Sequence, residues 1–555
     1  MSRNLNSFFS ENPANLDIMR SRFERPQSIK TTFNAGDVIP FYLDEVLPGD
    51  TMSIDTSKVV RMSTLMTPIM DNIYLDTYFF FVPNRLAWDH WKQFMGENTE
   101  SAWIPQTQYT VPQVTAPEGG WNEGTIADYL GIPTKVSGLS VSALPLRMYG
   151  LICNEWFRDE NLTDPIFVPT GDANVAGSNG SDYRNDIPKG GKPFKAAKYH
   201  DYFTSALPAP QKGPDVPLPL GNIAPVYADS TKTIGLRYGN ASVRIKDGNN
   251  NPLITGWSKI GGYTAPGNPN THLQAASAAS NPDGGSGIAI HFDNLMADLS
   301  QATGTSINQL RQAFQVQKMY ERDARGGTRY TELIRSHFGV SSPDARLQRP
   351  EYLGGSRIPI NVTQVVQESE TSTTPQGHTA AYSLSIDSHS DFTKSFVEHG
   401  YVMGVMVARY QHTYQQGLER TWKRTTREDY YFPVFANLGE QAIKNYEIYA
   451  QGTSTDNEVF GYQEAWAEYR YKNNRVSGMM RSNYAQSLDS WHLADDYDTL
   501  PRLSDEWIRE DQNVIDRVIA VSSRVSDQFI ADIFVRNISV RPMPVYSVPG
   551  LIDHH

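Results

Sequence analysis

The chain has 555 residues and a formal net charge of −12, with 39% hydrophobic and 20% charged residues. This composition excludes a disordered chain and argues against a protein whose whole surface grips nucleic acid, although it permits a local basic patch. The single cysteine excludes an internal disulfide, and no uncharged apolar run approaches the roughly 18 residues of a membrane helix, so we expect no membrane insertion.

The N-terminal residues are polar and mildly basic, and we predict an N-terminal arm over residues 1–32. Cations in such an arm can contact phosphate groups, whereas the alternative is an arm that is solvated or bound to a partner. The candidates for DNA contact here are Arg3, Arg20, Arg22, Arg25 and Lys30.

Strand patterns begin at Phe33, where short apolar stretches alternate with proline and glycine turns. Val38–Tyr42 is one such stretch, and Thr51–Thr56 alternates apolar and polar residues as a half-buried strand does. Short strands at regular spacing indicate a β-sandwich or barrel.

Residues 72–97 read NIYLDTYFFFVPNRLAWDHWKQFMGE. The apolar run Ile73–Val82 predicts a strand that is covered on both faces, and Pro83 ends it because proline lacks an N–H. We expect Asn84 to cap a single amphipathic helix that Gly96 ends. The predicted core or interface residues of this stretch are Phe79, Phe81, Trp88 and Trp91.

Helical periodicity returns in Thr125–Leu130 and again in Leu144–Asp159. Cys153 lies on the apolar face of the second helix, which favours a small core residue over a nucleophile.

Residues 170–290 differ from the rest because they are rich in glycine, asparagine, serine, alanine and proline. We predict an exposed insertion with a small framework of its own, since a structureless loop of this length does not belong in a compact domain. Its aromatic side chains suit contact with a glycan or protein receptor, and they equally suit a small core for the insertion. They are Tyr183, Tyr199, Tyr202, Tyr227, Trp257 and Tyr263.

The apolar spacing and terminal glycines in residues 291–555 predict two helices, Ser306–Gly327 and Tyr330–Gly339. Further strands are predicted after them. Tyr430–Phe435 is broken by a proline and indicates an edge or interface segment. The chain therefore consists of an arm (1–32), a first core part with helical insertions (33–169), the exposed insertion (170–290) and the remaining core strands with a C-terminal tail (291–555). The predicted strands are Ile358–Val366, Tyr382–Ile386, Val402–Tyr410, Trp466–Lys472 and Ile530–Val540.

The sequence contains little evidence of catalytic, nucleotide-binding or metal-binding motifs. The chain has no phosphate loop, dinucleotide fingerprint, zinc-protease helix or nucleophile elbow. Residues 387–391 (DSHSD) resemble part of a triad, but adjacent residues point in different directions. Asp495-Asp496 fits glycoside cleavage or calcium binding less well than a solvated turn. We therefore predict no catalytic residue, no metal site, no cofactor and no enzymatic activity.

A second basic cluster surrounds Trp422. Proteins that bind single-stranded nucleic acid use such an arrangement, because the aromatic ring stacks on bases while the cations neutralise phosphates. Flanking carboxylates make salt bridges between subunits an equal alternative. Its DNA-contact candidates are Arg420, Lys423, Arg424 and Arg427.

Three long stretches resemble one family, the major capsid proteins of gokushoviruses, which are small single-stranded DNA phages of the Microviridae. They are DTYFFFVPNRLAWDHWKQFMGE (76–97), LQRPEYLGGSRIPI (347–360) and FGYQEAWAEYRYKNNRVSG (460–478), the last of which contains the core or interface residue Trp466. The resemblance implies a mainly β fold, an eight-stranded antiparallel jelly roll (β-sandwich) with long insertions that contain helices. It also implies a T=1 shell of sixty copies around circular single-stranded DNA, with the insertion forming threefold protrusions that attach to the host.

The same resemblance implies a virion protein that assembles, through pentamers, in the host bacterial cytoplasm. Expected partners are other copies of the chain, the genome, a small basic DNA-binding protein, a pilot protein and a host receptor, a glycan being one candidate. The basic protein is expected because a chain of charge −12 does not neutralise a packaged genome alone. The alternative function is a jelly-roll protein that binds or cleaves glycans.

Overall fold

The computed structural model describes residues 19–98, 107–214, 216, 307–372, 376–377 and 379–546, together with seven short strands between residues 226 and 297. The chain divides into two compact units, Met1–Lys212 with Tyr320–His555, and Gly213–Met319. The predicted insertion of residues 170–290 therefore overlaps both units. Phe194 and Phe203, which lie inside that predicted insertion, are buried in the first unit.

Eight strands of the first unit form two four-stranded antiparallel sheets. Sheet A has the order β1-β8-β3-β6, and sheet B has the order β5-β4-β7-β2. Six of the seven connections between consecutive strands pass from one sheet to the other, and only the connection from β4 to β5 stays within a sheet, so the chain builds both layers together. The strands are β1 (Ser21–Phe33), β2 (Ile39–Val46), β3 (Thr51–Met62), β4 (Ile73–Pro83), β5 (Glu351–Pro359), β6 (Ser385–Ser395), β7 (Gly400–Tyr410) and β8 (Phe529–Arg541).

The main core lies between the two sheets, and strict alternation in β8 shows how it forms. Phe529, Ala531 and Ile533 point inward and are buried, whereas Ile530 and Phe534 point outward and are exposed. An alternating strand buries one face and leaves the other to solvent. The prediction of a mainly β, sandwich-type fold is confirmed.

Strand β4 is buried on both faces, as its unbroken apolar run predicts. Phe79 and Phe81 pack into the core between the sheets, whereas Phe80 and Val82 face a second core on the outer side of sheet B. The second core is built mainly from residues 87–196, and Cys153 is buried in it as a small core residue. Sheet B is therefore covered on both sides.

The predicted single helix over residues 84–96 is wrong, because the chain forms two one-turn helices, α1 (Asn84–Ala87) and α2 (Trp91–Phe94). Trp88 between them is extended, and its buried indole Nε1 donates to Asp172 Oδ1 at 2.6 Å. Burying this ring requires the extended backbone that interrupts the helix. Asn84 does not cap α1 through its side chain.

The predicted strand Trp466–Lys472 is also wrong. Trp466 has a left-handed backbone with φ of 66°, and a 3₁₀ helix, Ala467–Tyr469, follows it. This turn places the indole against Phe435, where the rings stack with centroids 6.1 Å apart, and lets Nε1 donate to the Phe435 carbonyl at 3.3 Å. The Tyr430–Phe435 segment is likewise a loop that ends in a 3₁₀ helix, Pro433–Phe435.

The remaining elements are short, apart from the predicted helices near residues 144, 307 and 330. The other helices are α3 (Ile126–Tyr129), α4 (Leu144–Ile152, continued by a π-helix, Cys153–Phe157), α5 (Ile307–Gly326), α6 (Tyr330–Phe338), α7 (Asp344–Leu347), α8 (Asn445–Ile448), α9 (Asp505–Ile508) and α10 (Asn513–Asp516). Further 3₁₀ helices are Ile187–Lys189, Arg420–Lys423, Arg427–Asp429, Ser454–Asn457, Gly478–Met480 and Asp489–Trp491.

Among the described residues, three small sheets belong to the first unit and three more to the second. Those of the first unit join Gln113–Thr115 with Ser140–Ser142 and Val175–Ala176, Val362–Val366 with Thr379–Ser383, and Glu440–Lys444 with Val459–Glu464. Those of the second unit join Val226–Ala228 with Leu295–Ala297, Gly235–Tyr238 with Ala241–Arg244 and Ile288–His291, and Ile260–Tyr263 with His272–Ala275.

Candidate functional site

The outer face of sheet A is an exposed, hydroxyl-rich surface, in contrast to the covered outer face of sheet B. Thr51 and Ser395 hydrogen-bond across β3 and β6 at 2.8 Å, as do Ser53 and Thr393. Ile530 on β8 is 51% exposed on the same face.

Four cations and three carboxylates lie on this face. Arg536 donates to Glu24 at 2.9 Å, and Lys30 Nζ lies 3.7 Å from Asp532. Within the described ranges, no carboxylate lies within 4 Å of the other two cations. The cations are Arg22, Lys30, Arg61 and Arg536, and the carboxylates are Glu24, Asp55 and Asp532. The face thus carries a small positive excess on a chain that is acidic overall.

The N-terminal basic candidates are distributed over different environments. Arg3 lies outside the described residues. Arg20 donates to the Gly49 carbonyl at 3.0 Å, and Arg22 and Lys30 lie on the exposed face of β1. Arg25 is held by Asp44, with Nη1 3.0 Å from Oδ1 and a second bond from Nη2. Strand β1 therefore begins inside the segment that the sequence assigns to an arm.

The basic cluster around Trp422 is largely neutralised within the chain. Arg420 Nη2 lies 2.7 Å from Glu447 Oε1, and Arg424 Nη2 lies 2.9 Å from Glu468 Oε1. Both guanidinium groups are nearly buried. The other two candidates stack on rings: Lys423 Nζ lies 5.4 Å from the centre of the Tyr446 ring, and the Arg427 guanidinium 5.1 Å from that of Phe432. Trp422 itself is 77% exposed.

Three of the six aromatic receptor candidates are held inside the first unit. Tyr183 donates to Asp505 at 3.3 Å, and Tyr202 is buried with its hydroxyl donating to Glu447 at 2.9 Å. Tyr199 donates to Asp76 at 2.8 Å. Tyr227 and Tyr263 belong to short strands of the second unit, and Trp257 lies outside the described residues. Receptor contact by these residues stays a prediction.

Asp76 is the centre of the network that holds Tyr199. The nearly buried carboxylate accepts from Arg357 at 2.6 and 3.1 Å and from Arg409 at 2.7 Å. Both guanidinium groups also lie over the Tyr199 ring, at 4.6 and 4.2 Å. Burial alone would raise the pKa of Asp76, but the hydrogen bond from Arg357 and the charge of Arg409 lower it. The network ties the segment before residue 200 to strands β4, β5 and β7.

The predicted core or interface residues are mostly interior. Phe79, Phe81, Trp88 and Trp466 are buried, and Trp91 is partly buried against the second core. Trp91 contacts Trp88, with ring centroids 6.3 Å apart. Four of these five side chains are therefore buried in the chain, and a role at an interface stays a prediction.

The interpretation of Asp495-Asp496 as a solvated turn is wrong for the first residue. Asp495 is 4% exposed, because its backbone pairs with Tyr414 and its neighbours Leu493 and Ala494 are buried. Its carboxylate accepts from His412 Nδ1 at 3.0 Å and from the Tyr497 hydroxyl at 2.9 Å.

His412 is clamped between two carboxylates in a buried cluster. Its Nδ1 faces Asp495 and its Nε2 lies 3.0 Å from Glu510 Oε1. Because both acceptors are carboxylates, the ring must donate from both nitrogens and is an imidazolium. Burial favours the neutral ring, but the charges of Asp495 and Glu510 outweigh it and raise the pKa of His412 to about 9. The pKa of Asp495 falls to about 2, since the charge of His412 overcomes the effect of burial.

Sequence reasoning missed this cluster because its members are 83 and 98 positions apart and carry no motif. The cluster is enclosed, so it is suited to holding loops together and not to turning over a substrate.

Asp387, part of the triad-like segment, serves an internal ion pair. Its Oδ2 lies 3.5 Å from Lys58 Nζ, which is fully buried between the sheets and also donates to Thr77 Oγ1 at 3.1 Å. Burial lowers the pKa of Lys58. Asp391, at the other end of the segment, accepts from Thr56 Oγ1 at 2.7 Å.

Metal sites and membrane-spanning helices are both absent from the described ranges. No group of three or more histidine, cysteine or carboxylate side chains converges there in a way that could hold a metal ion. None of the helices in those ranges combines the length and apolar character needed to cross a membrane.

Comparison with known proteins gives a match along nearly the whole chain. Residues 13–551 match the family described as "Capsid protein (F protein)". The chain is 44% identical over 539 residues to capsid protein VP1 of Spiroplasma virus 4, covering 96% of each chain. It is 44% identical over 556 residues to capsid protein VP1 of Bdellovibrio phage phiMH2K, with 99% of this chain and 98% of the relative covered. Capsid protein VP1 of Chlamydia phage 1 is also 44% identical, over 584 residues, with 98% and 97% covered.

Proposed function

The chain belongs to the capsid protein (F protein) family and is the major capsid protein of a microvirus, and from this we propose that sixty copies assemble into a T=1 icosahedral shell around circular single-stranded DNA. The observation that carries the proposal is the 44% identity to three phage capsid proteins over at least 96% of the chain. The resemblance on the three sequence stretches is thereby confirmed at the level of the family.

We also propose that β1–β8 form an eight-stranded jelly roll. The strand orders β1-β8-β3-β6 and β5-β4-β7-β2 support it, because strands next to one another in each sheet come from distant parts of the chain. The connection from β4 to β5 is the longest one, and in sequence it contains residues 84–197 and the second unit.

The exposed face of sheet A is the surface we assign to the genome. Its hydroxyl groups and its cations Arg22, Lys30 and Arg61 can donate to phosphate oxygens, and Phe534, which is 44% exposed, offers a ring to bases. Because the positive excess of the face is small, a small basic DNA-binding protein would share the neutralisation of the genome. A pilot protein completes the proposed virion partners.

The unit Gly213–Met319 is the part we propose for host attachment. It is a compact unit inserted into the chain that forms the sandwich, and its sequence is rich in the small polar residues of exposed loops. The receptor, a glycan being one candidate, would contact this unit. Deleting its tip is expected to abolish adsorption and to leave shell assembly intact.

The alternative of a glycan-cleaving enzyme is not favoured by the carboxylates of the first unit. Asp495 and Glu510 are buried, and both carboxylates are hydrogen-bonded to His412, so this pair cannot act on a sugar.

Size measurement tests the proposed function. The purified chain is expected to elute as megadalton particles or as pentamers, and electron microscopy of the peak should show closed shells. A stable monomer or trimer under all assembly conditions would overturn the proposal.

A further inference from the structure

Loops of the first unit expose an unusual number of large apolar side chains on one surface, which we call the aromatic patch. Trp422 is 77% exposed, Val434 80%, and four tyrosines are between 43% and 53% exposed. The aromatic patch consists of Trp422, Tyr430, Tyr431, Val434, Tyr469 and Tyr471. Single exposed apolar residues are ordinary, but a group of this size marks an interaction surface.

Ring contacts join three tyrosines of the aromatic patch, and a shared cleft joins two further members. Tyr431 and Tyr469 have ring centroids 6.1 Å apart, and the Arg424 guanidinium lies 4.5 Å over Tyr469 and 5.4 Å over Tyr430. Trp422 and Tyr471 line the same cleft, which has a volume of about 210 Å³. The patch therefore combines a flat aromatic area with one recess.

The loops that carry the patch are fixed in place before any partner binds. The Asp429 carboxylate accepts from the backbone N–H groups of Thr425 at 2.8 Å and Thr426 at 2.7 Å. Beneath the patch, the buried Trp466 ring packs against Tyr431 with ring centroids 5.7 Å apart. A surface that is already ordered loses little conformational entropy on association, which favours binding.

Charge in and around the patch is balanced, which disfavours a polyanion as the occupant. Arg424 is paired with Glu468, and Lys472 Nζ lies 2.6 Å from Glu419 Oε2. Arg420 is likewise paired with Glu447. Tyrosine, tryptophan and arginine with compensated charge are the composition found at the centres of protein interfaces.

The exposed area of the patch is also of the right order for a protein interface. If a fully exposed aromatic side chain offers about 200 Å², the exposed fractions correspond to roughly 600 Å². A standard interface takes about 800 Å² from each partner. The patch can therefore supply the greater part of one side of a specific contact.

We propose that the aromatic patch is a contact surface between copies of this chain in the assembled shell, with Trp422 as its anchor. The inference rests on the proposed function, because a second copy is the occupant only if the chain assembles. Trp422 then inserts into the neighbouring copy and is buried on assembly.

Serine substitution on and off the patch provides the main test. Trp422→Ser and Tyr471→Ser are each expected to raise the critical concentration for assembly by about tenfold or more, the usual effect of losing an aromatic anchor. Both side chains are largely exposed, so the unassembled subunits should unfold at the same temperature as wild type. Val525→Ser is the matched control, since Val525 is 80% exposed and lies off the patch.

Assembly of both patch variants at the wild-type concentration would overturn the inference, and so would an equal loss in Val525→Ser. If the wild-type chain itself forms no particles, the proposed function fails, which is a different result from a wild-type shell that tolerates both patch substitutions.

A photo-crosslinker identifies the occupant directly. Trp422→p-benzoylphenylalanine, co-assembled with excess wild-type chain and irradiated, should give a product of twice the chain mass in which both linked peptides come from this chain. A product with nucleic acid would overturn the inference in favour of a genome contact, and an assembled shell without a chain–chain product would overturn it as well.

Discussion

The buried imidazolium of His412 makes the stability of the first unit fall in alkaline solution. Its pKa is about 9 in the folded chain and 6.5 in an unperturbed histidine. A folded pKa above the unfolded value means that the stabilisation is complete below pH 6.5 and is lost as pH rises through 9. The difference corresponds to about 3 kcal/mol at neutral pH.

His412→Gln removes the charge and leaves Asp495 and Glu510 buried without a cation. We expect the free energy of unfolding at pH 6 to fall by about 3 kcal/mol, the usual cost of breaking a buried ion pair from one side. The gap between wild type and variant should shrink toward zero between pH 8 and pH 10.5, because the wild-type ring then loses its own charge.

Denaturant unfolding of the unassembled subunit, measured at half-unit pH steps from 6 to 10.5, gives the two curves. Subtracting the variant curve from the wild-type curve cancels the pH dependence that tyrosine and lysine side chains elsewhere contribute to both. His389→Gln is the matched control, since His389 is exposed on β6, and it should follow wild type at every pH. A gap for His412→Gln that is constant with pH would refute the charged state that we assign to the ring.

Three further predictions concern packing, the Asp76 network and the genome face. Trp88→Ala should lower the free energy of unfolding by about 3–5 kcal/mol, and Trp91→Ala by less, because only the first ring is fully buried; equal effects in thermal unfolding would contradict this difference. Asp76→Asn should cost about 3–5 kcal/mol in denaturant unfolding, since the mostly buried Arg409 loses the anion that it shares with the half-exposed Arg357, and a loss under 1 kcal/mol would show that solvent replaces it. Arg22→Ala with Arg61→Ala should weaken binding of single-stranded DNA to the subunit and reduce the slope of log affinity against log salt concentration by about 1.4, because two phosphate contacts are lost. An unchanged slope would show that these cations do not contact the genome.

Sequence patterns predict a strand or helix well when the residues of that element alone determine its conformation and its buried face. The unbroken apolar run of β4 and the alternation in β8 each determine which faces are buried, and both strands were expected from the sequence. The two helices near residues 307 and 330 also follow, because apolar spacing and a terminal glycine act within a few residues.

Patterns fail where a distant contact decides the local backbone. Trp88 has helical spacing with its neighbours, but its hydrogen bond to Asp172 requires an extended residue there. Trp466 alternates as in a strand, yet stacking on Phe435 places it in the left-handed region. The carboxylates that pair with His412 and Arg424 are remote in sequence. The sequence alone therefore does not show whether either cation is buried in an ion pair or exposed to solvent.

Electron microscopy of particles assembled from the wild-type chain measures both the number of copies in the shell and the orientation of each copy. We predict closed icosahedral shells of sixty copies in which the exposed face of sheet A points inward toward the genome. Particles with another copy number, a reconstruction with this face pointing outward, or a chain that stays monomeric under all assembly conditions would contradict it.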